Sequence, residues 1–342
     1  MKTSTEINSL KRLVGEHKAV ELLAKAGFDA WDFSMFDMAR WDWDKNAISD
    51  TPHPLKSSEY LKFARELRKI GEECGIVCNQ SHAPFPVIHM SDDILKRAIE
   101  CTAEAGGSIC IIHPWNNWNA EENAEMYHRL LPFAKDHGVK IATENMWNWP
   151  KGSPTSTFAA CASAEDFVRH IDIVNDPYLV ACLDIGHAEM VGSGDGAYEM
   201  IKALGPSLQA LHIHDNDKLH DSHQIPFSMQ IDFSEVVRGL KEVGYSGYLT
   251  LEASCYLGAY TAENALEGAK KRIVAVIGRQ GSAVQFAFLD ELAVGKAIEL
   301  HGREVVSVDT DCGMYTVSAA VPANAGDAAI VQDILKGEGK LK

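Results

Sequence analysis

Carboxylate and imidazole side chains stand at the ends of six consecutive β-prone runs in this 342-residue sequence. The chain has 14 histidines, so such a recurrence is improbable by random placement. Parallel strands that alternate with helices bring their carboxyl ends together, and chemistry collects at that end. We therefore take the six end residues as candidates for one site: His82, His113, Glu144, Asp184, His214 and Glu252.

Four of these residues would form a metal site, namely Glu144, Asp184, His214 and Glu252. Three carboxylates and one imidazole favour Mn²⁺, with Mg²⁺ or Co²⁺ as alternatives, in an open octahedral site over a closed zinc site. Three crowded carboxylates would repel each other unless a dication compensated their charge. We therefore predict a divalent metal cofactor.

Side-chain direction supports a common site. Successive residues of a strand point to opposite faces, so Glu252 lies on the face opposite to Leu251. By the same rule, His212 and His214 share one face and Ile213 lies on the other. The polar faces are consistent with side chains that point into a barrel mouth.

Short β-prone runs alternate with helical patterns eight times along the chain, which predicts an α/β fold with parallel strands. The predicted strands are Lys2–Glu6, Phe28–Ser34, Ile76–Ser81, Ser108–His113, Val139–Glu144, Leu179–Asp184, Leu208–His214 and Gly247–Glu252. The predicted helices are Glu16–Ala26, Ser57–Cys74, Ser91–Ala105, Ala120–His137, Ala164–Asn175, Asp195–Leu204, Phe233–Val243 and Thr261–Ile277.

The spacing of the strand ends predicts the architecture. Intervals of roughly 30 to 50 residues match one βαβ unit, and eight units predict a (β/α)8 TIM barrel over residues 1–280. A doubly wound open sheet is the alternative, but the first strand is not followed by GxGxxG. Residues 281–342 form a short C-terminal β-rich extension, in which Glu304–Asp309 and Met314–Val321 predict a hairpin. We expect an appendage or oligomer contact there, with an active-site role or disorder as alternatives.

Charge and composition exclude several classes of protein. The chain carries 32 Lys and Arg against 48 Asp and Glu, a formal net charge of −16. This disfavours nucleic acid as a partner, because binding phosphates needs basic surface. The N-terminal segment lacks the apolar core of a signal peptide, and the apolar runs are too short to span a membrane. The eight cysteines form no CxxC pair, which favours a reduced, cytoplasmic protein.

Six of the seven tryptophans fall in loops that follow predicted strands. Their faces suit sugar rings or aromatic aglycones, although rings that plug the mouth or bury a subunit contact are the alternative. The same loops contain asparagines suited to hydroxyl groups, and no Gly-rich turn with lysine offers a phosphate cradle. We therefore expect a non-phosphorylated sugar or polyol near Trp41, Trp43, Trp115, Trp118, Trp147, Trp149, Asn116, Asn117, Asn145 and Asn148.

Four motifs resemble the xylose-isomerase-like barrel superfamily, in particular sugar phosphate isomerases and epimerases of tagatose-epimerase type. They are Glu-Asn-Met at 144–146, Asp-Ile-Gly-His at 184–187, His-Ile-His-Asp-Asn-Asp at 212–217 and Leu-Glu-Ala at 251–253. The resemblance implies that His187 contacts a substrate oxygen and that Glu144 and Glu252 form the acid and base pair. Ketose 3-epimerases have an arginine six residues after the metal histidine, where this sequence has His220. The resemblance also implies metal binding by Glu144, Asp184, His214 and Glu252.

The apurinic endonucleases of the same superfamily bind up to three metals, through further strand-end histidines and an Asp-x-His pair. The matching residues here are His82, His113, Asp221 and His223. The net charge of −16 argues against that branch. We therefore assign to the substrate His82, His113, Trp115, Trp147, His212, His220 and His223.

Two reaction types fit these residues. The first hypothesis is a metal-dependent isomerase or epimerase that transfers a proton next to a carbonyl group. The alternative is a lyase or dehydratase on 3-keto sugars or glycosides, similar to the catalytic subunits of C-glycoside deglycosidases. A phosphodiesterase and a non-catalytic barrel are further alternatives. We expect a homo-oligomer, with a small partner subunit as an alternative, and neither a nucleic-acid nor a membrane partner.

Overall fold

A computed structural model describes residues 2–257, 274–280, 283–288, 305–311 and 314–320. Its main feature is a sheet of eight parallel strands with helices between them. A small hairpin of β3 (Trp41–Asp42) and β4 (Ala47–Ile48) lies in the loop after the second strand. The parallel strands are β1 (Lys2–Glu6), β2 (Ala30–Ser34), β5 (Val77–His82), β6 (Ile109–Ile111), β7 (Lys140–Glu144), β8 (Leu179–Asp184), β9 (Leu208–His212) and β10 (Tyr248–Leu251).

The parallel sheet closes into a barrel between β9 and β10. The strand order is β10-β1-β2-β5-β6-β7-β8-β9. Across the seam, Ile213 N donates to Thr250 O at 2.9 Å and Glu252 N donates to Ile213 O at 2.9 Å. The predicted (β/α)8 TIM barrel is therefore confirmed, and its eight strands end at one mouth.

The longer helices lie between successive strands and bury apolar residues, such as Leu67, Leu130 and Phe167. Helix starts follow the local sequence, because the Ser91 and Ser163 side chains accept hydrogen bonds from the first-turn backbone of two helices. No helix within the described ranges is long and apolar enough to cross a membrane. The helices are α1 (Asn8–Val14), α2 (Glu16–Ala26), α3 (Tyr60–Cys74), α4 (Asp92–Glu104), α5 (Ala120–Asp136), α6 (Ala164–Val174), α7 (Ile185–Ala188), α8 (Ala197–Leu204), α9 (Phe233–Glu242) and α10 (Ser254–Leu257).

The C-terminal part contains a separate antiparallel sheet, in which β11 (Val274–Gln280) pairs with β12 (Ala283–Phe288). Two further strands, β13 (Val305–Asp311) and β14 (Met314–Ala320), pair where the sequence predicts a hairpin. The predicted helix Thr261–Ile277 is wrong over its last four residues, which belong to β11. β-branched residues dominate this stretch and favour a strand. The rest of that helix lies outside the described residues, and the domain boundary at 280 stays a prediction.

Candidate metal centre

Four side chains that could ligate a metal meet at the mouth of the barrel. Glu144, Asp184 and His212 are the last residues of β7, β8 and β9, and Glu252 directly follows β10. Each offers a ligand atom, and these atoms all lie within 4.8 Å of one another. His212 Nδ1 is 3.3 Å from Glu144 Oε1 and 3.5 Å from Glu252 Oε2. The structure thus brings the three predicted carboxylates together, with His212 as the imidazole.

His214 lies in a different group. Its Nε2 is 3.0 Å from Asp184 Oδ1 and 3.4 Å from Asp221 Oδ1. Together with His187, Asp221 and His223 it forms a second set of potential ligands. The predicted ligand His214 therefore contacts one carboxylate of the first group, and its role as a metal ligand stays a prediction.

Several polar atoms of the two groups are buried without a hydrogen-bond partner. They are Glu144 Oε2, Asp184 Oδ2, Asp221 Oδ1 and both ring nitrogens of His214. An unsatisfied buried polar group costs about 1–3 kcal/mol, so native proteins seldom gather such atoms in one place. A cation among them would satisfy them, and a donor set rich in oxygen suits Mn²⁺ or Mg²⁺. The residues therefore fit a divalent metal.

His82, the last residue of β5, and His113, two residues beyond β6, lie beside the first group. Their Nε2 atoms are 2.6 Å apart, and His113 Nε2 is 3.2 Å from Glu144 Oε2. These three residues form a further set of potential ligands, so Glu144 belongs to more than one set. The geometry is compatible with the predicted substrate contacts of both histidines and equally with metal ligation.

The surroundings shift the pKa values of the two glutamates in opposite directions. Burial alone would raise the pKa of Glu144, but the imidazoles of His212 and His113 outweigh it and hold this pKa well below its usual value. For Glu252, burial is the larger effect and raises the pKa. Neighbouring groups whose pKa values are pushed apart are typical of an acid and base pair.

His187 is fixed by its neighbours and lines the cavity. Its Nδ1 is 2.8 Å from the carbonyl oxygen of Asn145, which can only accept, so Nδ1 carries a proton. Its Nε2 is 3.5 Å from Asp221 Oδ2. Burial lowers the pKa of His187, but Asp184 and Asp221 outweigh burial and raise it to about 10. The ring can therefore present an N–H donor to a bound molecule.

Asp32 is a buried residue of the site that the sequence analysis missed. Its Oδ2 is 3.4 Å from His212 Nε2 and accepts a hydrogen bond from Gln80 Nε2 at 2.9 Å. A carboxylate next to a ligating histidine orients the ring and selects its tautomer. The alternation of Trp31, Asp32 and Phe33 in β2 was the available signal, because it places a carboxylate on the inner face.

A cavity of about 730 Å³ opens above these residues. Seven of its lining residues are titratable groups of the site: His82, His113, Glu144, His187, Asp221, His223 and Glu252. The predicted substrate residue His212 lies beneath the cavity wall, fully buried between Asp32 and the glutamates. Predicted His220 is exposed, with its ring stacked on Trp149 at 5.4 Å.

The tryptophans divide into two groups. Four line the cavity, namely Trp43, Trp115, Trp147 and Trp149, whereas Trp41 stacks on His89 at 3.7 Å and Trp118 packs on the core.

The asparagines mainly hold loops together: Asn116 donates to Trp147 O at 2.8 Å, and Asn148 donates to Asn117 Oδ1 at 3.0 Å. Asn145 bonds the backbone of Asp184. Asn116, Asn117 and Asn148 also line the cavity, and their predicted contact with sugar hydroxyls stays a prediction.

Known proteins similar to this chain include an uncharacterised protein of Methanocaldococcus jannaschii. It is 28% identical over 253 residues, which are 68% of this chain and 78% of the relative. Fructoselysine 3-epimerase of Shigella flexneri is 28% identical over 169 residues, 47% of this chain and 57% of the relative. A probable endonuclease 4 of Thermoplasma acidophilum is 24% identical over 207 residues, 58% of this chain and 64% of the relative.

Solved structures share the fold. A D-tagatose 3-epimerase-like protein is 22% identical with a TM-score of 0.58, over 80% of this chain and 100% of that chain. A 3-keto-D-glucoside 4-epimerase of E. coli is 15% identical with a TM-score of 0.54, over 74% of this chain and 91% of that chain. The family sequence model described as "Xylose isomerase-like TIM barrel" matches residues 20–273. With this match over most of the barrel, the chain belongs to the xylose isomerase-like TIM barrel family.

Proposed function

We propose that this protein is a divalent-metal-dependent sugar isomerase or epimerase that moves a proton next to a carbonyl group. The observation that carries the proposal is the pair Glu144 and Glu252, whose carboxylates flank His212 Nδ1 at 3.3 and 3.5 Å beside the cavity. The similarity to fructoselysine 3-epimerase supports this reaction type. It also favours proton transfer over the elimination that a lyase would catalyse.

The proposed ligands are Glu144, Asp184 and Glu252, with His212 as the imidazole that lies within 4.8 Å of all three. His214, the imidazole predicted from the sequence, is the alternative, because both of its ring nitrogens are buried without a hydrogen-bond partner. Buried ligand atoms without partners on two of the carboxylates support this set. When bound, a divalent ion supplies Lewis-acid polarisation of the carbonyl group and compensates the negative charge of the three carboxylates. Mn²⁺ is the proposed ion, as the sequence predicts.

The two glutamates act as base and acid in the proposal. One carboxylate removes the proton from the carbon beside the carbonyl group, and the other carboxyl returns a proton, on the opposite face for epimerisation. His187 donates a hydrogen bond to a substrate oxygen, since its Nδ1 is held by Asn145 and its other edge lies at the cavity. These three residues are the proposed catalytic groups.

Proton transfer next to a carbonyl predicts exchange of a carbon-bound proton with solvent. Free ketoses, aldoses, inososes and 3-keto glycosides are each incubated in D₂O with the Mn²⁺-loaded protein and followed by NMR. We expect deuterium beside the carbonyl carbon with an intact skeleton, and no incorporation with the Glu144→Gln variant. Loss of water or of an aglycone would instead identify a lyase. Absence of exchange with every substrate would contradict the proposal.

A phosphodiesterase is the second candidate, because several overlapping sets of potential ligands lie around Glu144 and Asp184. The similarity to a probable endonuclease 4 points the same way. The formal charge of −16 and a cavity whose described lining contains neither lysine nor arginine disfavour it. Cleavage of an oligonucleotide with an abasic site by the Mn²⁺- or Zn²⁺-loaded protein, without exchange on any sugar, would favour this candidate over the first.

A further inference from the structure

The cavity is larger than a monosaccharide requires. Its volume is about 730 Å³, whereas a hexose at the density of close-packed organic matter fills on the order of 200 Å³. Ligand sites that bury most of their ligand match it in size. A single sugar ring at Glu144 and Glu252 would therefore leave more than half of the cavity to water.

Two series of aromatic rings lead outward from the catalytic groups. In the first, Trp147 lies 6.3 Å from His187 and 6.4 Å from Trp149, measured between ring centroids. Trp147 is half-buried and Trp149 is 37% exposed, so this series runs from the site towards solvent. We call the cavity wall formed by Phe36, Phe85, Trp115, Trp147 and Trp149 the aromatic slot.

The second series starts at His82 and His113. Phe85 lies 6.0 Å from His82 and 5.1 Å from His113, and Phe36 lies 4.8 Å from His82. Phe85 is 45% exposed although it packs on a buried histidine. Exposed aromatic faces grouped at a cavity mark a binding surface more often than scattered ones do.

Hydrogen bonds between two loops hold part of the aromatic slot in place. Asn116 donates to Trp147 O at 2.8 Å, and Ala160 N donates to Asn116 O at 2.9 Å. Asn148 and Thr157 form a further backbone bridge within the second loop. The rings around Trp147 are therefore preorganised, which reduces the entropy that a ligand loses on binding.

The chemistry of the slot favours a neutral ring as its occupant. The described lining of the cavity contains four tryptophans and two phenylalanines but neither lysine nor arginine. A phosphate or carboxylate group would find neither lysine nor arginine on the described lining, while the CH face of a sugar or an aromatic ring can stack on an indole.

We infer that the aromatic slot is a subsite for a second ring joined to the reacting sugar, so that the substrate is a neutral glycoside. This inference rests on the proposed function for the position of the reacting ring. The second ring is either another sugar or an aromatic group, since both stack on tryptophan.

Binding of unreactive glucosides tests the inference. The Mn²⁺-loaded full chain is titrated by calorimetry with methyl β-glucoside, phenyl β-glucoside, cellobiose and glucose 6-phosphate. We expect phenyl β-glucoside, cellobiose or both to bind at least about tenfold tighter than methyl β-glucoside, and the stronger of the two identifies the ring. Equal affinities, no binding, or tightest binding of glucose 6-phosphate would overturn the inference.

Two variants test whether the aromatic slot causes the tighter binding of two-ring ligands. Trp149→Ala should reduce the preference for the two-ring ligand about 3- to 10-fold, as expected for loss of one aromatic contact. Phe158→Ala removes a 55% exposed ring of the same loop that does not line the cavity, and should keep the preference. An unchanged preference in Trp149→Ala would also contradict the subsite. The subsite and the proposed function can fail independently. Proton exchange on free ketoses without a preference for two-ring ligands would contradict only the subsite. A preference for two-ring ligands without proton exchange on any substrate would contradict only the proposed function.

Discussion

Replacing Asp32 by asparagine tests whether His212 is a metal ligand. Asp32 is 1% exposed, and its Oδ2 lies between His212 Nε2 at 3.4 Å and Gln80 Nε2 at 2.9 Å. A carboxylate only accepts hydrogen bonds, so it keeps the proton of the ring on Nε2. With an ion bound, the Nδ1 lone pair is then directed to the side of Glu144 and Glu252.

Asparagine cannot reproduce this arrangement in either orientation. If its NH₂ group takes the place of Oδ2, it faces the ring nitrogen and the Gln80 amide, both of which need an acceptor there. If its NH₂ group takes the place of Oδ1, it is buried at a position without a hydrogen-bond partner. Each orientation therefore leaves a buried donor unsatisfied or favours the tautomer with the proton on Nδ1.

The expected effect on metal affinity is about 10- to 100-fold, the usual result of removing a partner of a ligating histidine. This corresponds to about 1.4 to 2.8 kcal/mol of binding free energy. Isothermal titration with Mn²⁺ measures the dissociation constant of the parent and of Asp32→Asn, and circular dichroism verifies that the variant is folded.

Glu6→Gln provides a matched control. Glu6 is buried in β1, pairs in register with Asp32, and accepts a hydrogen bond from Ser9 N at 2.9 Å instead of from His212. Loss of its charge should change the Mn²⁺ dissociation constant less than about threefold, as for a group outside the ligand shell. A dissociation constant for Asp32→Asn within twofold of the parent would refute the reasoning. Equal weakening in both variants would assign the effect to overall charge.

Three further changes probe other parts of the site. Glu252→Gln should lower kcat by about 10²- to 10⁴-fold through loss of acid–base catalysis and reduce bound metal measured by elemental analysis; unchanged metal and kcat would contradict both roles. His187→Asn should raise KM and lower kcat while metal content stays at the parent level, and full activity would contradict its assignment. Gly186→Ala would overlap the ring of His214, so urea unfolding should show a loss of stability of about 1–3 kcal/mol, whereas a midpoint equal to the parent would show that the ring moves freely.

The site residues at strand ends were predictable, because the carboxyl ends of all strands in a parallel barrel lie at the same mouth. The ends of β7 and β8 were predicted correctly at Glu144 and Asp184, and Glu252 follows β10 as expected. Hydrophobic runs with polar ends locate such residues along the chain, and closure of the barrel then brings them together. Locating site residues at strand ends requires no knowledge of the loop conformations, so it is possible from the sequence.

Sequence periodicity does not distinguish His212 from His214 as the imidazole beside the glutamates. The two residues are one period apart and share a face, so alternation treats them alike. The distinction comes from where β9 ends: it ends at His212, and the chain continues beyond the regular ladder through one bridge between Ile213 and Leu251. His212 therefore remains in the sheet beside the glutamates, and His214 lies with the following loop.

The loop after β9 shows the limit of sequence reasoning about this site. Asp221 and His223 are distant in sequence from the strand end, but Asp215 pairs with Gln224 by two backbone hydrogen bonds of 2.7 and 3.0 Å. This pairing folds the loop back, and His223 Nδ1 then reaches Glu252 O at 2.7 Å. Loop closure of this kind depends on contacts that no local period encodes. Since this loop supplies three of the four residues in one set of potential ligands, His214, Asp221 and His223, beside His187 of α7, the number of metal ions bound per chain distinguishes a site with one ion from one in which this loop helps to hold another.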